Sequence, residues 1–241
     1  MGLRNAAVDW DRWPVRHYLA ENYRELHPGD DAVLAHHSAF YRRFAPREVP
    51  VSLEFGAGPN LYPLMLAAGA SRRIDAVERS AANLAYLTGQ LATGPDPSWL
   101  PFWTRCRELN PALPDRLGAA LSRVRVVPGD ALDTPPDSYD LASMNFVAEG
   151  VTEEPAEFAR FCHVFARSVR PGGQLVAAFM ENMPSYQLGD GSRWPGYPVD
   201  VALVEAAFAP YVRELTVTRI DTDPTLPDYG YTGMILLTAR R

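Results

Sequence analysis

Along the chain the hydrophobic pattern switches between a period of two and a period of three to four, and each switch marks a change of element. At 51–55, Val, Leu and Phe alternate with Ser52 and Glu54, a strand that runs straight into Gly56-Ala57-Gly58-Pro59. Residues 60–68 then read as a helix stopped by Gly69, and 73–78 as a second strand ending on Glu78. A helix at 81–91 breaks at Thr93-Gly94-Pro95-Asp96-Pro97. The stretch 98–122 is longer than an ordinary connection and reads as one helix or two short ones. Strands follow at 124–127 and 138–147, then a helix at 154–169 with an apolar stripe of Phe158, Phe161, Cys162, Phe165 and Val169. Arg170-Pro171-Gly172-Gly173 stops that helix before a strand at 174–180. The end of the chain reads as a helix at 199–209 and strands at 212–221 and 233–240, close enough to pair antiparallel.

Residues 9–44 are rich in aromatics, Arg and His and are mostly helical in pattern. Tyr18 and Tyr23 stand five apart, near enough on a helix or its end to face one site. A helix at 30–44 puts Val33, Leu34, His37, Phe40, Tyr41 and Phe44 on one face, after a Pro28-Gly29-Asp30-Asp31 start with turn and N-cap chemistry. These aromatics either plate the domain or form a lid, and both readings stand at this level. Alternating strands and helices predict an α/β fold, a mostly parallel doubly wound sheet that takes ligands at the C-terminal strand edges. The expected organisation is a single domain over 1–241, with a helical lid at 1–47 and a core at 48–241.

Composition narrows the function classes. With 241 residues, 47% of them hydrophobic, the chain has enough apolar material for one sizeable core. A net charge of -6 disfavours a nucleic-acid partner. Neither a run of about 18 apolar residues nor a signal-peptide pattern is present, so no membrane partner and a cytoplasmic location are expected. Cys106 and Cys162 stand in no metal-ligand spacing, and no metal is expected. Every basic residue is Arg, which removes catalytic lysine chemistry.

The candidate site starts at the glycine turn. Gly56 permits a tight turn, Gly58 a close approach of ligand to backbone, and the following helix start offers unpaired N–H groups. Glu78 stands 20 positions after Gly58, the offset at which an acid meets a ribose hydroxyl. Asn83 lies about one helical turn further on. Asp130 ends the third strand, where it either accepts from a ligand amine or caps the following turn.

Together, Glu54-Phe55-Gly56-Ala57-Gly58-Pro59, Glu78 and Arg170-Pro171-Gly172-Gly173 resemble the class I S-adenosylmethionine-dependent methyltransferases. That resemblance implies a Rossmann-like seven-stranded sheet with an antiparallel last strand. A dinucleotide-binding domain fits less well, because Leu61 stands at the third fingerprint glycine. Nearly the whole chain is similar to the methyltransferase family that includes the nicotinamide, phenylethanolamine, indolethylamine and thioether enzymes. The stretch from Pro14 to Tyr23 looks like that family's lid, which implies cofactor contacts from Tyr18 and Tyr23. Gly56-Ala57-Gly58-Pro59-Asn60-Leu61-Tyr62 is similar to its Gly-Ser-Gly-Pro-Thr-Ile-Tyr, carrying over Gly56, Gly58, Asn60 and Tyr62. By the same resemblance Glu78 takes the ribose, Asn83 follows it, Asp130 and Ala131 take adenine, and Met144 and Asn145 face the methionine part. The segment from Glu181 to Gly189 resembles the family's substrate segment ending Tyr-x-x-Gly, which implies Tyr186 in the acceptor pocket. The family's two acceptor-side acids are displaced: one falls on Ala148 beside Glu149, the other near Phe179 with Glu181 two residues on.

The implied cofactor is S-adenosylmethionine, leaving S-adenosylhomocysteine. In-line transfer asks the protein to hold an acceptor lone pair about 3 Å behind the methyl carbon and to exclude water. Trp10, Trp13, Tyr18, Tyr186 and Trp194 are candidates for an aromatic pocket suited to a flat or cationic acceptor. Glu181 and Glu149 are the candidate acids, as ammonium anchor or as base, with Tyr18 the catalytic candidate from the lid; solvent-facing loop carboxylates are the alternative for both. The expected reaction is N-methylation of a small amine or aromatic heterocycle in bacterial secondary metabolism. The alternatives are C-methylation of an indole-type ring and a cofactor-binding protein without catalysis.

Overall fold

The computed structural model describes residues 2–188, 191–222 and 230–241. Five strands run parallel: β1 (Val49–Phe55), β2 (Ser71–Glu78), β3 (Val124–Pro128), β4 (Tyr139–Asn145) and β5 (Val169–Glu181). Two more, β8 (Arg213–Asp221) and β9 (Gly233–Arg240), close the sheet in the order β3-β2-β1-β4-β5-β9-β8, with β9 antiparallel to both its neighbours. The Rossmann-like, mostly parallel sheet with its antiparallel terminal hairpin is therefore present. A two-stranded ribbon of β6 (Tyr186–Gln187) and β7 (Arg193–Trp194) stands apart from it.

Helices cover both faces. On one side α2 (Pro28–Tyr41), α3 (Tyr62–Ala67), α4 (Ala81–Thr93), α5 (Leu100–Leu109) and α6 (Leu117–Leu121) contribute to a core of Leu34, Leu64, Trp99 and Phe102. On the other, α7 (Pro155–Ser168) and α8 (Val201–Phe208) bury Phe158, Phe161, Phe165 and Phe208. The α7 stripe lies at helical spacing, so the whole row meets the sheet at once. Residues 98–122 resolve into a 3₁₀ turn and the two short helices α5 and α6, separated by residues 110–116.

The segment 170–173 lies inside β5 and not before it, since α7 ends at Ser168. Backbone pairing resumes at once, Val169 opposite Tyr139, and the register shifts before Leu141 meets Gln174. Gly172 takes a positive φ of 86°, and a Cβ on Gly173 would lie 2.9 Å from the carbonyl oxygens of Arg170 and Asp140. These glycines therefore build a bulge into the start of β5.

Chain order reverses between β1 and β4, and this switch point opens a crevice beyond the C-terminal ends of the strands. The N-terminal segment lies over it, with 3₁₀ turns at Asn5–Ala7 and Trp10–Arg12 and the helix α1 (Val15–Asn22). It is fixed at its start by acids of the β4–α7 connection and α7: Glu154 accepts from the Gly2 amide (2.6 Å), Glu153 from Leu3 (3.0 Å) and Glu157 from Asn5 (2.8 Å). No helix among the described residues is long and apolar enough to cross a membrane.

Candidate active site

The crevice encloses a cavity of about 860 Å³ that extends from the ends of β2 and β3 to those of β5 and β8. Its floor is the turn after β1, where Gly56 and Gly58 take φ of +70° and +57°. A Cβ on Gly56 would lie 2.8 Å from the Val147 side chain, whereas one on Gly58 would meet no protein atom within 4 Å. The turn is held by Glu78. One carboxylate oxygen accepts from the Gly58 amide at 2.8 Å and the other from the Ser80 amide at 2.6 Å. Burial raises the Glu78 pKa against the pull of those amides. Beneath the turn, Glu54 accepts from Ser143 Oγ and from Asn145 Nδ2, the latter at 2.9 Å.

Around the glycine-turn half of the cavity stand Asn60, Asn83, Asp130 and Ala131. Asn83 is buried, and its Oδ1 has no hydrogen-bond partner. Asp130 does cap its turn, accepting from the Leu132 amide at 2.9 Å, and it also accepts from Arg79 at 3.0 Å and Asn5 at 3.2 Å. The two lid tyrosines meet: Tyr18 and Tyr23 hydroxyls lie 3.3 Å apart, and Asn60 Nδ2 donates to Tyr23 at 3.0 Å. Burial raises Tyr18 to about 12 and Tyr23 well above the ordinary range, so both remain protonated donors.

No family model and no curated protein sequence matches the chain. Solved structures do match its shape. The complex of DhpI with SAH superposes with a TM-score of 0.60 at 18% identity over 96% of this chain and 93% of that one. The N-methyltransferase NodS from Bradyrhizobium japonicum WM9, also with S-adenosylhomocysteine, gives 0.54 at 12% over 96% and 94%. A putative O-methyltransferase from Nostoc punctiforme gives 0.57 at 14% over 95% and 61%. The chain has the S-adenosylmethionine-dependent methyltransferase fold. The narrower likeness to the nicotinamide and phenylethanolamine group rests on sequence motifs alone. The residues present fit the methyl donor: the open face of Gly58 admits it, the Glu78 carboxylate on the cavity wall is an acceptor suited to hydroxyls, and the orphaned Asn83 Oδ1 supplies another acceptor. Among the described residues, no cluster of three or more His, Cys, Asp or Glu side chains is placed to hold a metal ion.

Most residues singled out in the sequence line this cavity: Trp10, Trp13, Tyr18, Tyr23, Gly56, Gly58, Asn60, Glu78, Asn83, Asp130, Ala131, Asn145 and Tyr186. Five others do not, each for a physical reason. Tyr62 is fully buried, its ring stacked on Phe102 at 6.0 Å with the planes 4° apart. Met144 precedes Asn145 in the strand, so the two side chains point to opposite faces and Met144 enters the core under α7. Trp194 packs behind the wall, 4.6 Å from Trp13 and 5.4 Å from Trp10 between ring centroids. Glu181 is bound by both arms of the Arg219 guanidinium at 2.7 Å and by the Thr232 hydroxyl at 2.6 Å, which together hold its pKa below the usual range. Its carboxylate clamps the sheet and does not line the cavity. Glu149 is not a solvent-facing carboxylate either. It is completely buried, one oxygen accepts from the Met180 amide at 2.8 Å, and burial pushes it up to about 8. Gly189, the end of the Tyr-x-x-Gly segment, lies outside the described residues.

The sequence reading missed Asn5 and Arg79, which join Asp130 at the cavity edge, and Asp30, at the start of α2. Asp30 lines the same cavity beside Tyr18, Tyr23 and Tyr62, and the adjoining Gly29 lies against Met234 and Tyr231. Asp30 is 8% exposed, and burial raises it to about 7 despite the Tyr62 hydroxyl that faces it. Its place in an N-terminal turn read as capping chemistry, and only the packing of α1 and α3 around it turns that acid inward.

Proposed function

We propose that the protein is an S-adenosylmethionine-dependent methyltransferase that methylates the nitrogen of a small amine. The observation that carries this reading is the charge of the cavity wall. Glu21, Asp30, Glu78, Asp130 and Asp221 line it, and among the described residues its lining holds a single Arg, Arg79, itself 3.0 Å from Asp130. A cavity so lined attracts a cationic acceptor and repels a carboxylate or phosphate. Tyrosine and thioether walls suit the organic part of such a ligand and the face of an ammonium. The likeness to NodS, described as an N-methyltransferase, agrees with this reading, although the fold itself also carries the putative O-methyltransferase.

In this scheme Glu78 holds the ribose hydroxyls, Asp130 and Ala131 meet the adenine, and the Gly56–Gly58 turn and Asn145 face the methionine part. The donor supplies a methyl group on a sulfonium sulfur, open to in-line attack by a lone pair. The protein's contribution is position and dryness. Tyr18 and Tyr23 close the cavity from above, and the Tyr18–Tyr23–Asn60 chain ties that cover to the glycine turn. A neutral amine needs no base during attack but has to reach the site without its extra proton.

The test is calorimetry with S-adenosylhomocysteine, followed by transfer of labelled methyl from S-adenosylmethionine to a panel of aryl-alkyl amines and indoles. Binding with N-methylated products is the expected result. Absence of cofactor binding would reject the enzyme reading, ring-carbon products would favour C-methylation, and binding without turnover would favour a non-catalytic role.

A further inference from the structure

Five carboxyl side chains line the cavity among the described residues, and four of them are committed to partners. Glu78 holds two backbone amides, and Asp130 holds Arg79, Asn5 and its own turn. Glu21 lies 3.0 Å from His17 on the outer face of α1, and Asp221 is bonded by Arg219. Asp30 differs from all four. It is nine-tenths buried and faces the cavity, the Tyr62 hydroxyl is its neutral neighbour, and among the described residues no cation pairs with it. Burying a carboxyl without a cationic partner is costly. Asp30 nevertheless stands on the wall of the cavity of about 860 Å³, where a bound cation would offset that cost.

We infer that Asp30 holds the ammonium of the amine acceptor and takes a proton from it, so that the nitrogen presents its lone pair to the methyl donor. The inference rests on the amine-methyltransferase reading and adds the residue and the substrate's charge state. The step balances: the N–H bond breaks with its electron pair left on nitrogen, and an O–H bond forms on Asp30. The pair on nitrogen then forms the new N–C bond as S–C breaks, and the sulfonium's positive charge passes to the product. Asp30 later releases its proton to solvent through the cavity.

The surroundings suit this task. The titratable groups around the carboxyl are the hydroxyls of Tyr18 and Tyr23 above it and of Tyr62 from α3, with His27 and Tyr231 on the same wall. All three hydroxyls of Tyr18, Tyr23 and Tyr62 are raised by burial and remain neutral. A carboxyl lifted to about 7 by burial is far closer to an amine than an ordinary carboxylate and can share its proton.

The experiment uses the full chain loaded with S-adenosylhomocysteine, with phenethylamine and tryptamine as charged probes and benzyl alcohol as the uncharged one. In Asp30→Asn, cofactor affinity is expected to stay near wild type, while affinity for the amines falls about 10-fold or more. Turnover of the amines at pH 7 is expected to fall about 100-fold, and the deficit should narrow as pH rises and more amine arrives neutral. On the wild-type protein with ¹³C-labelled Asp, one carboxyl signal should titrate in the neutral range and shift with phenethylamine but not with benzyl alcohol. This last readout stands even if the variant does not fold. Equal amine binding and turnover in Asp30→Asn, or a carboxyl signal indifferent to the amines, would overturn the assignment while leaving the amine reading in place. A wild-type complex that binds and methylates none of the amines would instead overturn the amine reading, and the Asp30 assignment with it.

Discussion

Glu78 shows how one side chain serves both local structure and ligand. Its two oxygens satisfy the amides of Gly58 and Ser80, fixing the turn and the start of α4 together. The same carboxylate lines the cavity. Glu78→Ala is therefore expected to weaken S-adenosylhomocysteine binding by about 1–3 kcal/mol, measured by calorimetry; an unchanged dissociation constant would count against the ribose role. Gly58→Ala tests the floor. Its φ of +57° disfavours any side chain, and the added methyl would project where no protein atom lies within 4 Å. Cofactor affinity should fall by a larger factor than thermal stability does, because the methyl obstructs ligand and not protein. Residues like these were legible because strand, turn and helix are consecutive, so spacing alone fixes where Gly58, Asn60 and Glu78 stand. Asp30 was not, since α1, α3 and the segment before β9 come from separate parts of the sequence. Met144 failed by a single position, which in a strand reverses the face.

At the scale of elements, the cover over the cavity depends on packing that leaves little trace in sequence. β6 and β7 are two residues each, too short for any alternation, yet they bring Trp194 against Trp10 and Trp13. The sequence marks these rings as aromatic and a pocket wall is the natural reading; the structure uses Trp194 to staple the ribbon to the N-terminal segment. Trp194→Ala should loosen that cover while sparing the sheet. The expected outcome is a clearly weaker cofactor affinity with a small change in melting temperature, read by calorimetry and thermal scanning on the same preparation. A large loss of global stability with normal affinity would show instead that the cluster belongs to the main core. The Glu181–Arg219 clamp works differently, tying β5 to β8 across β9. Arg219→Ala should lower the melting temperature in thermal scans, while S-adenosylhomocysteine affinity, set by the glycine turn and Glu78, stays near wild type by calorimetry.

Across the whole molecule the interior holds an unusual set of acids. Burial raises Asp30 and Glu54 to about 7 and Glu149 to about 8, and the last has one oxygen without a hydrogen-bond partner. Unfolded carboxyl groups titrate near 4, so between about pH 4 and 8 the folded chain binds more protons than the unfolded one. Stability from these groups is fully present below their unfolded pKa and is lost as pH rises through 7 to 8. Glu181 has the opposite sign: Arg219 depresses its pKa, so its share is present above the ordinary carboxylate range and lost on acidification. The two trends place the stability maximum on the acid side of neutrality. Glu149→Gln separates the largest of the three contributions, because an amide can keep the acceptor for the Met180 N–H and cannot ionise. Wild-type melting temperature should fall from about pH 6 to 9, and the variant's should fall less steeply. The gap should widen with pH, each unit of displaced pKa corresponding to about 1.4 kcal/mol. Parallel curves for the two proteins would mean that Glu149 is ionised to the same extent in the folded and unfolded chains over that range, so that burial does not raise it, and would leave Asp30 and Glu54 to account for the slope.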